Sequence, residues 1–447
     1  MSDLQVYLTL GIFGAVILVI AFDVVDMAVA ALIGVCAMIA LGLLGPDDLL
    51  EAIRTAGGPL SLLFGGMVVA HVLGITGIFE RMGSRFLYAT CGSGKRFLLL
   101  LIALVAPVCA VLPNATTVIL LAPIIVSVAR ALKVDFVGPL ILTAIISNAA
   151  GMLTLVGDPA TFLVGSSIGM SFVAYLQKVS LAGVLTVLVV VPLLPWLMRS
   201  TWQAQSGLPE RKALAPIERP GFVILALAVL LVMVALFLVG DYLPIRIVPP
   251  AVAIMAATMA LLVIYGIRVQ PVDQALKAVD WKTLVFLGAI FCLVQAFTKT
   301  GLLQGLSLKL YEMFGSELTL VALMLLAGIG LLSALLANIP VVAASLVMTK
   351  GYLVAAEAVP EIALAAGFTD WPAATLPVFV AMMFGATLGG NATLIGASSN
   401  IVTAGICAAE GERLTFARFL RYGLPITLAQ LTVGAIYVMA LFWLTGS

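Results

Sequence analysis

An all-α integral membrane protein of about ten transmembrane helices and two re-entrant hairpins, set in two inverted repeats with two broken helices, is the fold predicted by three features of this chain. First, apolar runs of about 20 residues recur along its whole length, each long enough to cross the hydrocarbon of a bilayer. Second, 63% of the 447 residues are hydrophobic and 10% charged, with a mean hydropathy of +1.24, whereas soluble domains carry about 25% charged residues. Third, Ser147 to Gly165 (SNAAGMLTLVGDPATFLVG) places glycines, a proline, an aspartate and hydroxyls inside an apolar run, and Gly385 to Asn400 (GATLGGNATLIGASSN) repeats the device. Backbone unwound at membrane depth is tolerated only where it is buried in protein or lines a cavity.

Spans are expected at about 4–21, 24–44, 58–79, 138–168, 172–197, 221–240, 249–267, 281–300, 372–408 and 422–443, the broken ones being 138–168 and 372–408. Two further apolar stretches, about 96–131 and 318–350, have turn-like polar centres at Pro113-Asn114-Ala115-Thr116-Thr117 and Ala337-Asn338-Ile339-Pro340. Arms of about 15 residues fall short of a full crossing, so these stretches read as re-entrant hairpins whose tips meet the broken helices. Amphipathic stretches near 46–56, 271–280 and 302–316 read as interfacial. The first repeat is 1–198 and the second 221–447, joined by a cytoplasmic linker at 199–220. Asn114 and Asn338 are 224 residues apart, as are Gly77 and Gly301, and the TLVG and TLIG segments are 239 apart.

Sixteen of the 22 Lys and Arg fall in loops 80–96, 130–136, 199–220, 268–282 and 410–421. The positive-inside rule puts these in the cytoplasm and both termini outside, in a cell inner membrane. A net charge of +1 suggests no nucleic-acid partner, and the five scattered cysteines contain no CxxC that would suggest a disulfide framework or zinc. No metal site or cofactor is called for, nor a nucleophile–base pair, so the chain reads as a non-enzyme. The N-terminus does not resemble a cleavable signal peptide.

Asp158 is the one acidic residue expected deep in the hydrocarbon, where a charge is costly and therefore points to function. It is read as the proton-coupling group, with helix capping by the Gly-Asp-Pro turn as the structural alternative. Asn114, Asn148, Asn338, Asn391 and Asn400 fall at the tips or beside the breaks. Asparagine offers donor and acceptor without charge. With Thr116, Thr117, Thr154, Thr393, Ser398 and Ser399 they are read as surrounding a small polar solute or a desolvated cation. His71 reads as a buried, hydrogen-bonded histidine, Cys109 and Cys292 as buried hydrophobes, and Gly65-Gly66 as a close helix contact.

Four motifs, VLPNATTVILLAPI (Val111 to Ile124), SNAAGMLTLVGDPAT (Ser147 to Thr161), LLANIPVV (Leu335 to Val342) and GGNATLIGASSNIV (Gly389 to Val402), resemble the ion-transporter superfamily. The nearest branch holds arsenite-efflux permeases, NhaD-type sodium/proton antiporters and the melanosomal P protein. Where many relatives carry Asp-Asn at the hairpin tips this chain has Pro113-Asn114 and Ala337-Asn338, and GDPAT stands for the usual GDPPN. A pocket rich in amides and hydroxyls with one acid suits a neutral hydroxylated solute. The resemblance therefore implies proton-coupled secondary transport exporting arsenite or antimonite. Sodium/proton antiport and sodium-coupled dicarboxylate or other anion symport stand as alternatives. It implies an elevator-like or rocking motion of hairpins and broken helices against the other spans. The partners it brings into view are solute, protons, the lipid bilayer, a homodimer and an ATPase subunit.

Overall fold

The computed structural model describes residues 3–21, 24–207, 219–336, 338–364, 368 and 370–445. Among these, 22 α-helices form and no strand, the one β-type pair being Ser93 with Gln205. Most of the expected linker, 208–218, and the tip residue Ala337 lie outside the described residues.

The first half runs α1 (Asp3–Ala21), α2 (Met27–Ala40), α3 (Pro46–Gly74), α4 (Ile78–Ala89), α5 (Gly94–Cys109), α6 (Asn114–Ala131), α7 (Val137–Ala150), α8 (Pro159–Ser167), α9 (Phe172–Lys178), α10 (Ser180–Leu188), α11 (Leu194–Leu197) and α12 (Arg199–Gln203). The second runs α13 (Pro220–Val239), α14 (Pro249–Ile267), α15 (Val272–Lys277), α16 (Trp281–Lys299), α17 (Leu302–Phe314), α18 (Leu318–Leu335), α19 (Asn338–Ala355), α20 (Leu376–Gly389), α21 (Ser398–Ala409) and α22 (Phe416–Thr445). Ten helices among the described residues are long and apolar enough to cross a membrane.

Helices α7 and α20 have 14 residues each, about 21 Å of rise against a hydrocarbon layer of about 30 Å. Each therefore ends inside the layer. Every residue of α7 is buried, and so is all of α20 except Leu376, because other helices screen both from lipid. Hairpin α5–α6 packs on α7 and hairpin α18–α19 on α20, while α6 also meets α21 and α19 meets α8. Around this group α2, α3, α14 and α16 pack on one another.

Four expectations are corrected. Residues 46–56 are not a separate interfacial helix. Gly45 N–H donates to Asp48 at 2.7 Å, Pro46 opens the first turn, and α3 runs on through Pro59 to Gly74 as one 29-residue helix. The loop expected from residue 80 is instead the amphipathic helix α4, set off by Gly77 in the left-handed conformation (φ 72°) that glycine adopts without strain. Its sequence partner Gly301 (φ 76°) starts α17 in the same way. The span expected at 172–197 begins only at Ser180, because α9 turns 102° away from α8. The hairpin arms have 16 to 18 residues, longer than expected, and the second extends to Ala355.

A Cβ built on Gly65 would lie 2.4 Å from the Ala253 carbonyl, so glycine lets α3 and α14 touch backbone to backbone. Gly65→Val is expected to cost about 1–3 kcal/mol through overpacking, read as a lower unfolding temperature in detergent. The basic loops are linked on one face. Gly94 N–H donates to Ala204 O at 3.0 Å, Ser206 Oγ to Leu132 O at 2.7 Å, and Arg130 and Arg418 pair with Glu410 and Asp135 at 2.7 and 2.8 Å.

Candidate functional site

The chain leaves α-helical geometry at 151–158, through a short 3-10 turn at Gly151–Leu153, and again at 390–397. Both breaks are closed by paired glycines. A Cβ on Gly157 would lie 2.6 Å from Gly151 O, and one on Gly396 2.5 Å from Gly390 O. Each break is then tied to a hairpin by one threonine: Thr154 Oγ1 donates to Ala110 O at 2.5 Å, and Thr393 Oγ1 donates to Ala334 O. The hairpin partners are 224 positions apart and the break partners 239, the same offsets that the sequence motifs carry.

Asp158 stands at the N-cap of α8, where Oδ2 accepts the Thr161 N–H at 3.3 Å and Pro159 fills the first helical position. It is 3% exposed. Asn114, the first residue of α6, donates to Asp158 Oδ1 at 3.3 Å and to Asn148 Oδ1 at 3.2 Å. The Asn338 amide, from the other hairpin tip, faces the same carboxylate. Both tips therefore converge on one acid.

From Asp158 a chain of amides crosses into the second half. Asn148 Nδ2 donates to Asn391 Oδ1 at 2.8 Å and to Asn400 Oδ1 at 3.4 Å, and Ser399 Oγ donates to Asn148 Oδ1 at 2.8 Å. Asn391 Nδ2 donates onward to Gln430 Oε1 at 2.9 Å, and Gln430 Nε2 donates to Thr186 O at 3.0 Å. Asn400 Nδ2 donates to the Gly390 and Thr393 carbonyls at 2.9 and 2.8 Å.

The expected site residues thus divide. Asp158, Asn114, Asn148, Asn338, Asn391, Ser399 and Asn400 are brought together. Thr154 and Thr393 spend their hydroxyls fastening the breaks, so their direct role is structural. Thr154→Val is expected to cost about 1–2 kcal/mol by leaving Ala110 O unpaired, seen as a lower unfolding temperature with unchanged ion dependence of transport. Thr116 is half-buried and takes no part in the network among the described residues; Thr117 is buried beside Cys109, its hydroxyl without a hydrogen-bond partner there. Ser398 is exposed and lines a cavity with Asn338. His71 sits 2.8 Å from the Gln270 amide near the end of α3 and lies apart from the network.

Two participants escaped the sequence reading. Gln430 is fully buried in α22, and a lone glutamine in the apolar run TLAQLTVG was the available signal. Tyr175, on α9, donates to Met152 O at 2.9 Å and lies beside Thr161. Only the 102° turn into α9 brings it there.

Among the described residues Asn114 Oδ1 is buried without a hydrogen-bond partner, next to the carboxylate. Cavities lie beside both tips. One, of only about 10 Å³, is bounded by Leu62, Leu63 and Gly66 of α3 at the first tip. The other, about 100 Å³, is bounded by Phe286, Leu287 and Ile290 of α16 at the second, each 224 positions on from its counterpart.

Comparison with known proteins agrees with this architecture. An uncharacterized transporter of Synechocystis sp. is 41% identical over 439 residues, covering 98% of each chain. The P protein of Mus musculus is 26% identical over 526 residues, covering 98% of this chain and 60% of its own length. The crystal structure of the Alcanivorax borkumensis YdaH transporter matches with a TM-score of 0.55 over 89% of each chain at 13% identity, a likeness of fold. None of these supports arsenite as the solute. The family model described as "Citrate transporter" matches residues 17–369, and the chain belongs to that family of membrane transporters, within the ion-transporter superfamily.

Proposed function

We propose that this protein is a secondary transporter that moves a small organic anion together with a proton, through a site between the two hairpin tips and the two helix breaks. The observation that carries the reading is Asp158, nearly sealed from solvent and faced by amides from both tips. Among the described residues no Lys or Arg lies in the amide network, so an anion there meets a carboxylate with no basic group to offset it. Two like charges a few ångströms apart at low dielectric repel by several kcal/mol. The anion enters when Asp158 is protonated, and the two leave together, which makes the coupling symport. The arsenite export expected from the motifs has no separate observation in its favour.

A second reading replaces the proton by sodium. It is favoured by the unpaired Asn114 Oδ1 beside the carboxylate, two oxygens of the kind that hold a bare cation.

The matching ties at offsets of 224 and 239 support two repeats, 1–198 and 221–447, inserted in opposite senses around a midplane site. The linked basic loops support a cytoplasmic placement for their face and both termini outside. Proteoliposomes given an inward proton gradient or an inward sodium gradient, with labelled citrate, succinate, a monocarboxylate or arsenite, test the proposal. Uptake driven by the proton gradient alone is expected. Uptake driven by sodium alone selects the second reading, and uptake of arsenite alone overturns the anion.

A further inference from the structure

Asp158 and its counterpart make the two tip–break sites chemically unequal. At the first, the acid caps α8 and the adjoining cavity is narrow: a Cβ on Gly66 would lie 2.8 Å from Pro113 Cδ. At the second, the position 239 residues on is Ala397, and α21 starts without a side-chain cap. The cavity there is roomier, about 100 Å³ against about 10 Å³ at the first. Twelve of the fifteen residues around it are apolar; the polar ones are Thr283, Asn338 and Ser398, and none is charged. Asn338 and Ser398 open α19 and α21, and Asn338 also faces Asp158. One polar end therefore joins the cavity to the coupling carboxylate, and the rest is hydrocarbon.

A tricarboxylate is a poor fit to such a lining. Burying several charges against apolar walls without a basic partner is strongly unfavourable. Building on the anion-symport reading above, we propose that the larger cavity holds the apolar body of the solute, with a single anionic head at Asn338 and Ser398. The substrate class is then an amphipathic organic monoanion. Apolar contact supplies most of the affinity, and the uncapped helix start at Ser398 favours the one negative charge.

The test is calorimetric titration of the full chain in nanodiscs with butanoate, hexanoate, octanoate and citrate, with octanol as the uncharged comparison. Affinity is expected to rise roughly tenfold for every two methylenes added, and to exceed that for citrate and octanol. Ile290→Trp, which fills the cavity, should move the optimum to shorter chains, and Phe286→Ala, which enlarges it, to longer ones. Opposite shifts in two folded variants do not arise from damage to the fold. Tighter binding of citrate overturns the inference. So does octanol binding as well as octanoate, or a chain-length dependence that neither variant moves, as expected of a lipid site. Gradient-driven citrate uptake without monocarboxylate binding overturns the inference and leaves symport standing. Chain-length-dependent binding with no gradient-driven uptake upholds the pocket and sinks symport instead.

Discussion

Asp158→Asn is expected to abolish accumulation against a gradient while leaving solute exchange across the membrane. Asparagine keeps the N-cap, since its side-chain oxygen accepts the Thr161 N–H as the carboxylate does. It also keeps an acceptor for the Asn114 amide. What disappears is the group that gains and loses charge. With Asp158 permanently neutral, the anion enters and leaves regardless of the proton, so counterflow persists and its rate becomes flat with pH. Concentrative uptake should therefore fall to background. The measurement is the ratio of gradient-driven uptake to counterflow in proteoliposomes. Retention of full pH-dependent accumulation removes Asp158 from the coupling.

Gly389→Ala is expected to prevent the transporter from folding. A Cβ at this position would sit 2.2 Å from the Gly330 carbonyl, and the same face meets Leu326 O at Gly385, 2.6 Å away. The obstructing atoms are backbone, so no rotamer change relieves the clash and α18 must separate from α20. These two helices carry the second hairpin and the second break, and Ser333 Oγ donates to Ala386 O at 2.5 Å between them. Losing that packing is estimated at about 4 kcal/mol or more, in the range that single substitutions rarely reach. Gly328→Ala is the control: it lies on α18, where the nearest atom to an added Cβ is Met324 Sδ at 3.8 Å. It should be neutral or stabilising by about 0.5–1 kcal/mol. Size-exclusion profiles and unfolding temperatures of both variants separate the outcomes; a well-folded Gly389→Ala protein would mean the two backbones are not in contact.

The sequence by itself determined the all-α membrane class and the places where two apolar runs break. Each hairpin tip and each break had to be announced locally, because an apolar run unwinds only where proline, glycine and amide side chains replace helix formers. Thus Asn114, Asn148, Asp158, Asn338, Asn391, Ser399 and Asn400 were legible from composition within short windows. Tertiary structure alone decided which of those groups meet. Thr154 and Thr393 look like solute ligands in sequence, yet their hydroxyls hold Ala110 and Ala334, 44 and 59 residues away. Gln430 enters the network through Asn391 and Thr186, the latter 244 residues distant. The two tips share an asparagine, Asn114 and Asn338, but not its immediate neighbours, and the inequality of the two cavities shows only once α3 and α16 are packed against them. Local chemistry fixes where a membrane helix must break, but contacts across hundreds of residues determine which freed polar groups are consumed by the fold and which remain for a solute.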